Sequence, residues 1–462
     1  MRKNLGQIEP LGVGLFLIFF SFLFFIFIFV IKSPLIVFTL ICGVLIGLIT
    51  LVNVDLALII LIFSMMLSPE IPLGNLSERA VVVRVDDLLL LTMFFFWLAK
   101  IAINKEMGLL RKTPLNSLII TYIIVYAIST IWGIVGKKVS LFSGIFYLLK
   151  YIEYYMIYFM TANSVHTHKQ AKRLIIAMLV VCFITCVYAN FTLAKYGRAT
   201  APFERGGEAN TLGGYLVLMF ALVLGSLIHK GVSRNKFFLG ILAALIVFTL
   251  LNTLSRGSFL GFIMMFLVFI IFSKKKKLFL MGVLLISLVA VPLILPQKVI
   301  MRIQSTFIPG REYEKGQTQL PIDDSAAARL IGFQRVFEMW KKQPLLGYGA
   351  TGVGFTDMHY ALVLGEAGIV GFFLFIWTIF TIFKLGFKML KQLTADWGKG
   401  LVVGYLAGLA GLLTHSISAN TFIIIRIMEP FWLLTAVVMM LPRFSEAPGL
   451  GLSGIVISGE NE

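Results

Sequence analysis

The chain has 462 residues, 59% of them hydrophobic and 13% charged, with a mean hydropathy of +0.95. A soluble globular domain is nearer half apolar and a quarter charged, so that class is excluded and a polytopic membrane protein remains. The net charge of +18 does not imply nucleic acid, because most Lys and Arg form short caps beside apolar runs, not a basic helix interleaved with aromatics.

Apolar runs fall at 11–31, 34–52, 55–68, 87–103, 117–136, 141–163, 172–194, 211–229, 237–253, 258–273, 278–295, 361–385, 400–416 and 420–441. At about 20 residues per crossing they predict an all-α membrane helix bundle of about 12–14 transmembrane helices. The runs are continuously apolar, whereas the strands of a membrane barrel would alternate. The run at 11–31 exceeds the apolar core of a cleavable signal peptide and lacks a small-x-small site, so it reads as a span. The short run 55–68 reads as a tight hairpin with its predecessor. The stretch 296–360 breaks the pattern, with Arg302, Arg311, Glu312, Glu314, Asp323, Asp324 and Arg329 in a water-compatible sequence. One membrane domain over 1–441, containing this large loop, and a disordered tail at 442–462 are expected.

Basic caps set the expected orientation. With Arg2 and Lys3 in the cytoplasm, the inside segments carry 21 Lys and Arg and the short outside loops nine. Both termini therefore read as cytoplasmic and 296–360 as extracytoplasmic, with membrane lipids as the partners of the basic caps. Cys42, Cys182 and Cys186 lie within apolar spans. A Cys-x3-Cys spacing without His or further Cys is a poor metal or redox signature, and all three read as small core residues.

Three arginines fall on the same expected face: Arg198 just before a span, Arg256 in the turn Leu254-Ser255-Arg256-Gly257-Ser258, and Arg329 in the large loop. A guanidinium fork suits phosphate oxygens and keeps its charge at any physiological pH. Singly, each also fits an arginine snorkelling to headgroups; it is their joint occurrence that points to an anion site. Gly347-Tyr348-Gly349-Ala350-Thr351-Gly352 matches G-x-G-x-x-G formally, but it lacks a preceding strand and reads as a glycine turn re-aiming the chain toward the bilayer. Asp357 and His359 are candidate general bases, and residues two apart on a helix face different ways. Glu366, in the first turns of the next span, needs a partner inside the bundle. Lys150/Glu153 and Arg426/Glu429 are each three apart and read as self-neutralising pairs, in preference to a proton relay.

Arg329-Leu330-Ile331-Gly332-Phe333, followed by Trp340 and then Pro344-Leu345-Leu346-Gly347-Tyr348-Gly349, resembles a stretch of the O-antigen ligase/polymerase family. Tyr360 through Glu366-x-Gly368-x-x-Gly371 resembles that family's re-entry into the membrane. Leu254-Ser255-Arg256-Gly257-Ser258 and Asn210-Thr211-Leu212-Gly213-Gly214-Tyr215-Leu216 resemble two earlier signatures, so the likeness spans about 195–385. The resemblance implies a lipid-glycosyltransferase type of bundle with one large extracytoplasmic loop in a bacterial cytoplasmic membrane. It implies a glycan donor on undecaprenyl pyrophosphate, a glycan acceptor offering a hydroxyl, and further polysaccharide assembly proteins as partners. Arg256, Arg329 and Arg198 would hold the pyrophosphate without metal or other cofactor, and a basic group near the loop's end, from Asp357, His359 and Glu366, would activate the acceptor. Aligned on Glu366, Gly368 and Gly371, Asp357 stands where ligases of the family carry histidine, which resembles the polymerases. The resemblance thus favours polysaccharide polymerisation over ligation to lipid A core. A flippase for lipid-linked sugars would show inverted repeats and midplane charges, and a scaffold would leave the arginines without work.

Overall fold

The computed structural model describes residues 34–76, 79–103, 110–204, 208–229, 236–272, 324–354 and 356–444, with short pieces between 277 and 304. The expected span at 11–31, most of that at 278–295, much of the large loop and the tail from 445 lie outside the described residues.

The chain runs α1 (Pro34–Val52), α2 (Val54–Leu67), β1 (Glu70–Leu76), β2 (Arg79–Arg84), α3 (Val85–Ile103), α4 (Asn116–Val135), α5 (Leu141–Ser164), α6 (His168–Phe191) and the single turn α7 (Leu193–Tyr196). It continues through α8 (Ala209–Ile228), α9 (Lys236–Asn252), α10 (Arg256–Phe272), α11 (Asp324–Lys342), α12 (His359–Gln392), α13 (Asp396–His415) and α14 (Ile425–Phe444). Helices α4, α6, α8, α12, α13 and α14 are long and apolar enough to cross a membrane; Gly43–Val52, α2, α9 and α10 are shorter apolar helices. The architecture is the expected polytopic all-α one. The hairpin β1–β2 was not foreseen. It pairs Glu70 with Arg84 at its base, with a register shift between Pro72 and Gly74 where proline cannot donate to the ladder.

Small residues set the closest helix contacts, as expected where lipid supplies no hydrophobic drive between helices. A Cβ on Gly225 of α8 would lie 2.3 Å from the Gly400 carbonyl oxygen of α13, and one on Gly261 of α10 2.7 Å from that of Gly411. The core helix α14 buries Arg426 and Glu429 along with its apolar face. Cys182 and Cys186 are buried and free on α6, as the sequence implied.

Helix α12 is broken at Gly368 (φ 64°, ψ −166°). In an unbroken helix the amides of Ile369 and Val370 would donate to the carbonyls of Gly365 and Glu366. Instead they donate to Pro344 and Leu345 (2.8 and 3.3 Å), while Gly365 and Glu366 accept from the amides of Tyr348 and Gly349 (2.9 and 2.8 Å). Two internal bonds are exchanged for four to the loop after α11, so none of these four groups is orphaned. Ser129 Oγ on α4 donates to the carbonyls of Leu346 and Glu366. The Pro-Leu-x-Gly-x-Gly and Glu-x-Gly-x-x-Gly motifs are thus the two halves of one clasp.

Candidate functional site

At one end of the bundle the turns before α8, before α10, before α12 and after α13 meet. Ser255 caps α10: its Oγ accepts from the Ser258 amide at 3.3 Å and donates to Asn210 Oδ1 at 2.7 Å, and Ser258 Oγ donates to Ser255 Oγ at 2.7 Å. The two earlier signature stretches are therefore bonded to each other. Gly257 presses on the turn after α13, its missing Cβ falling 1.9 Å from Ser418 Oγ and 3.4 Å from the His415 ring. His415 is buried, with Nδ1 2.7 Å from Thr421 Oγ1. The same turn holds the start of α12: the His359 amide donates to Ser416 O at 3.1 Å, and Asn420 Nδ2 donates to Thr356 O.

Charge alternates across this end. Burial pushes the Asp357 carboxyl above its ordinary value, and the Arg329 cation opposes the shift. Burial, and then Asp357, push Glu208 up, while Arg198 holds it down. Arg198, Glu208, Asp357 and Arg329 are thus within electrostatic reach of one another in sequence. Arg329 also reaches His415, and Gly257 lies against the same ring, which puts the start of α10, where Arg256 stands, at this end of the bundle. The structure brings the three predicted arginines and Asp357 to one region.

It places the other two candidates elsewhere. His359 is 1% exposed, with neither ring nitrogen hydrogen-bonded among the described residues and its ring packed on Phe375 and Phe422 at centroid distances of 5.2 and 5.3 Å. Glu366 belongs to the clasp, where it accepts from the Thr351 amide at 2.8 Å, Tyr126 Oη at 3.1 Å and Tyr151 Oη at 3.2 Å. No group of three or more His, Cys, Asp and Glu among the described residues is placed to hold a metal ion.

The structure adds a charge network that spacing alone did not show. Lys150 and Glu153 do pair, at 3.3 Å, but Arg426 and Glu429 do not pair with each other. Arg426 goes to Glu70 at 3.2 Å and to the carbonyls of Met66, Pro202 and Ser68; Glu429 goes to Arg84 at 3.3 Å. Arg84 also meets Asp86 at 2.6 Å, and Lys150 meets Asp87. The link that joins the two pairs comes from the base of the hairpin, Glu70 and Arg84, and from the first turn of α3. Glu208, His415 and this network were missed. Only Asp86-Asp87 next to Arg84, at the edge of an apolar run, carried a signal in the sequence.

A bundle whose described helices include six long and apolar enough to cross a membrane is that of an integral membrane protein. Residues 241–376, from α9 into α12, match the family model described as O-antigen ligase, and this stretch contains the Arg256, Arg329 and Glu366 motifs. No curated protein matches the chain.

Proposed function

We propose that the protein transfers a glycan from a polyprenyl-pyrophosphate carrier to a sugar hydroxyl of a growing polysaccharide, on the outer face of a bacterial cytoplasmic membrane. The observation that carries this reading is the gathering, at one end of the bundle, of Arg198 and Arg329 with the Glu208 and Asp357 carboxyls, and of the start of α10, which carries Arg256, against the same end. Asp357 is the base we assign, because His359 is enclosed by aromatic rings and Glu366 is held by three donors. The acceptor hydroxyl gives its proton to the Asp357 carboxylate, and its oxygen bonds to the donor's anomeric carbon. The bond from that carbon to the pyrophosphate oxygen breaks, and the leaving group keeps the electron pair. Arginine guanidinium groups offset the charge that develops there, the work a divalent ion does in other transferases.

The test is elongation of a synthetic undecaprenyl-pyrophosphate oligosaccharide by the purified protein without nucleotide or metal. Wild type should lengthen the lipid-linked glycan, with Asp357→Ala inactive, Arg329→Ala reduced to residual activity and His359→Phe active. Consumption only in the presence of a separate acceptor makes the protein a ligase, the second reading, which the family model's own description favours. Passage of intact lipid-linked sugar across a vesicle bilayer, without transfer, would overturn both.

A further inference from the structure

Between the hairpin, α5, α8 and the start of α14 lies a cavity of about 280 Å³, whose lining includes Glu204, Glu208, Thr211, Phe146 and Tyr147. Glu208 belongs both to this cavity and to the charge chain that contains Asp357 and Arg198, so one carboxyl is shared between the cavity and the proposed reaction site. Three cations also line it, Arg84, Lys150 and Arg426, and each already has a carboxylate: Asp86 and Glu429, Asp87 and Glu153, and Glu70 respectively. Arg84 and Arg426 are 4% and 2% exposed, so an incoming anion would have to break a buried pair to reach them. An anionic ligand is therefore disfavoured. What remains on offer are carboxyl oxygens, a threonine hydroxyl and aromatic rings. Oε2 of Glu204 is buried and has no hydrogen-bond partner among the described residues, and burial pushes that carboxyl up to about 8, so near neutrality it can donate as well as accept. Mixed donors and acceptors beside flat apolar rings match the hydroxyls and C–H face of a sugar.

We infer that this cavity receives the terminal sugar of the acceptor glycan, an uncharged polyhydroxylated ring, with Glu204 and Tyr147 as positioning residues that present its hydroxyl toward Asp357. The inference rests on the transferase reading above.

The probe is the free oligosaccharide released by mild acid from the host's lipid-linked glycan, titrated into the purified protein in detergent by calorimetry, with and without inorganic pyrophosphate. Loss of a hydrogen bond to a buried carboxyl predicts binding weaker by roughly tenfold in Glu204→Ala, a comparable loss in Tyr147→Ala, and retention in Glu204→Gln, which keeps a donor and an acceptor. In the elongation assay Tyr147→Ala should raise KM for acceptor and leave kcat and the donor KM within about twofold. Glu204→Gln guards against misfolding, since it preserves shape and removes only the titration. Unchanged binding in both alanine variants, or displacement of the oligosaccharide by pyrophosphate, overturns the cavity assignment even where wild type elongates glycan. Oligosaccharide binding that depends on Glu204 and Tyr147 in a protein that transfers no glycan upholds the sugar site and removes the transferase reading instead.

Discussion

Asp357 and Glu204 are both carboxyls raised by burial, yet they call for opposite protonation states. As base, Asp357 must be ionised, so elongation should fall as pH drops through a limb lying above the ordinary aspartate value of 3.8. Because Arg329 holds that value down, the residual activity of Arg329→Gln should show its acid limb at higher pH; a pH–rate profile of both proteins checks the direction. Glu204 is a stability matter. Its folded value of about 8 exceeds the ordinary 4.5, so between these values the folded state binds more protons than the unfolded one, and stability falls as pH rises through that window. Glu204→Gln removes this dependence, so its melting temperature should gain on wild type steadily from pH 5 to pH 8. At this scale the sequence was partly legible. The arginines were marked by their place beside apolar runs, but Glu204 and Glu208 were not, because a carboxylate at a span's edge is common and only burial gives it meaning.

Among the elements, α12 and its loop show most clearly what pattern can and cannot tell. The apolar run predicted a span from 361, and the glycines predicted a turn. That the turn inserts into the span could not be read, because the exchange depends on residues about twenty apart sharing hydrogen bonds. Gly368 has φ 64°, and a Cβ there would fall 2.1 Å from the Leu345 carbonyl oxygen. Gly368→Ala should therefore cost about 1–3 kcal/mol from backbone strain alone, with displacement of the loop added. We expect a lowered melting temperature and loss of elongation together. Ser129→Ala, which removes one donor and strains no backbone, should lower the melting temperature less; thermal scans of both variants in one detergent make the comparison.

For the molecule as a whole, the buried network ties the hairpin and α3, α5 and α14 into one unit. Arg84 is at its centre, beside Asp86, Asp87 and Glu429. Arg84→Met should destabilise by about 3–5 kcal/mol, because carboxylates are left without their cation. The double variant Arg84→Met/Glu429→Met should recover part of that loss, which a denaturation series of the two proteins would measure. The membrane class and the apolar runs that match described helices followed from composition and run length, since burying backbone in lipid leaves few alternatives to helices. Which spans touch which did not follow, because apolar faces are interchangeable and the discriminating contacts are a few glycines and ions distant in sequence.

The clasp bears on bilayer thickness as well. Beyond the break at Gly368, α12 runs on to Gln392, a segment that at about 1.5 Å per residue is somewhat longer than the roughly 30 Å depth of the hydrocarbon layer. Its first segment, up to Gly368, is fastened to the loop after α11 and to Ser129 on α4, so its height is fixed by protein and not by lipid. Hydrophobic mismatch must then be absorbed by tilt or curvature in the part beyond Gly368, leaving Asp357 at one height in thin and thick membranes alike.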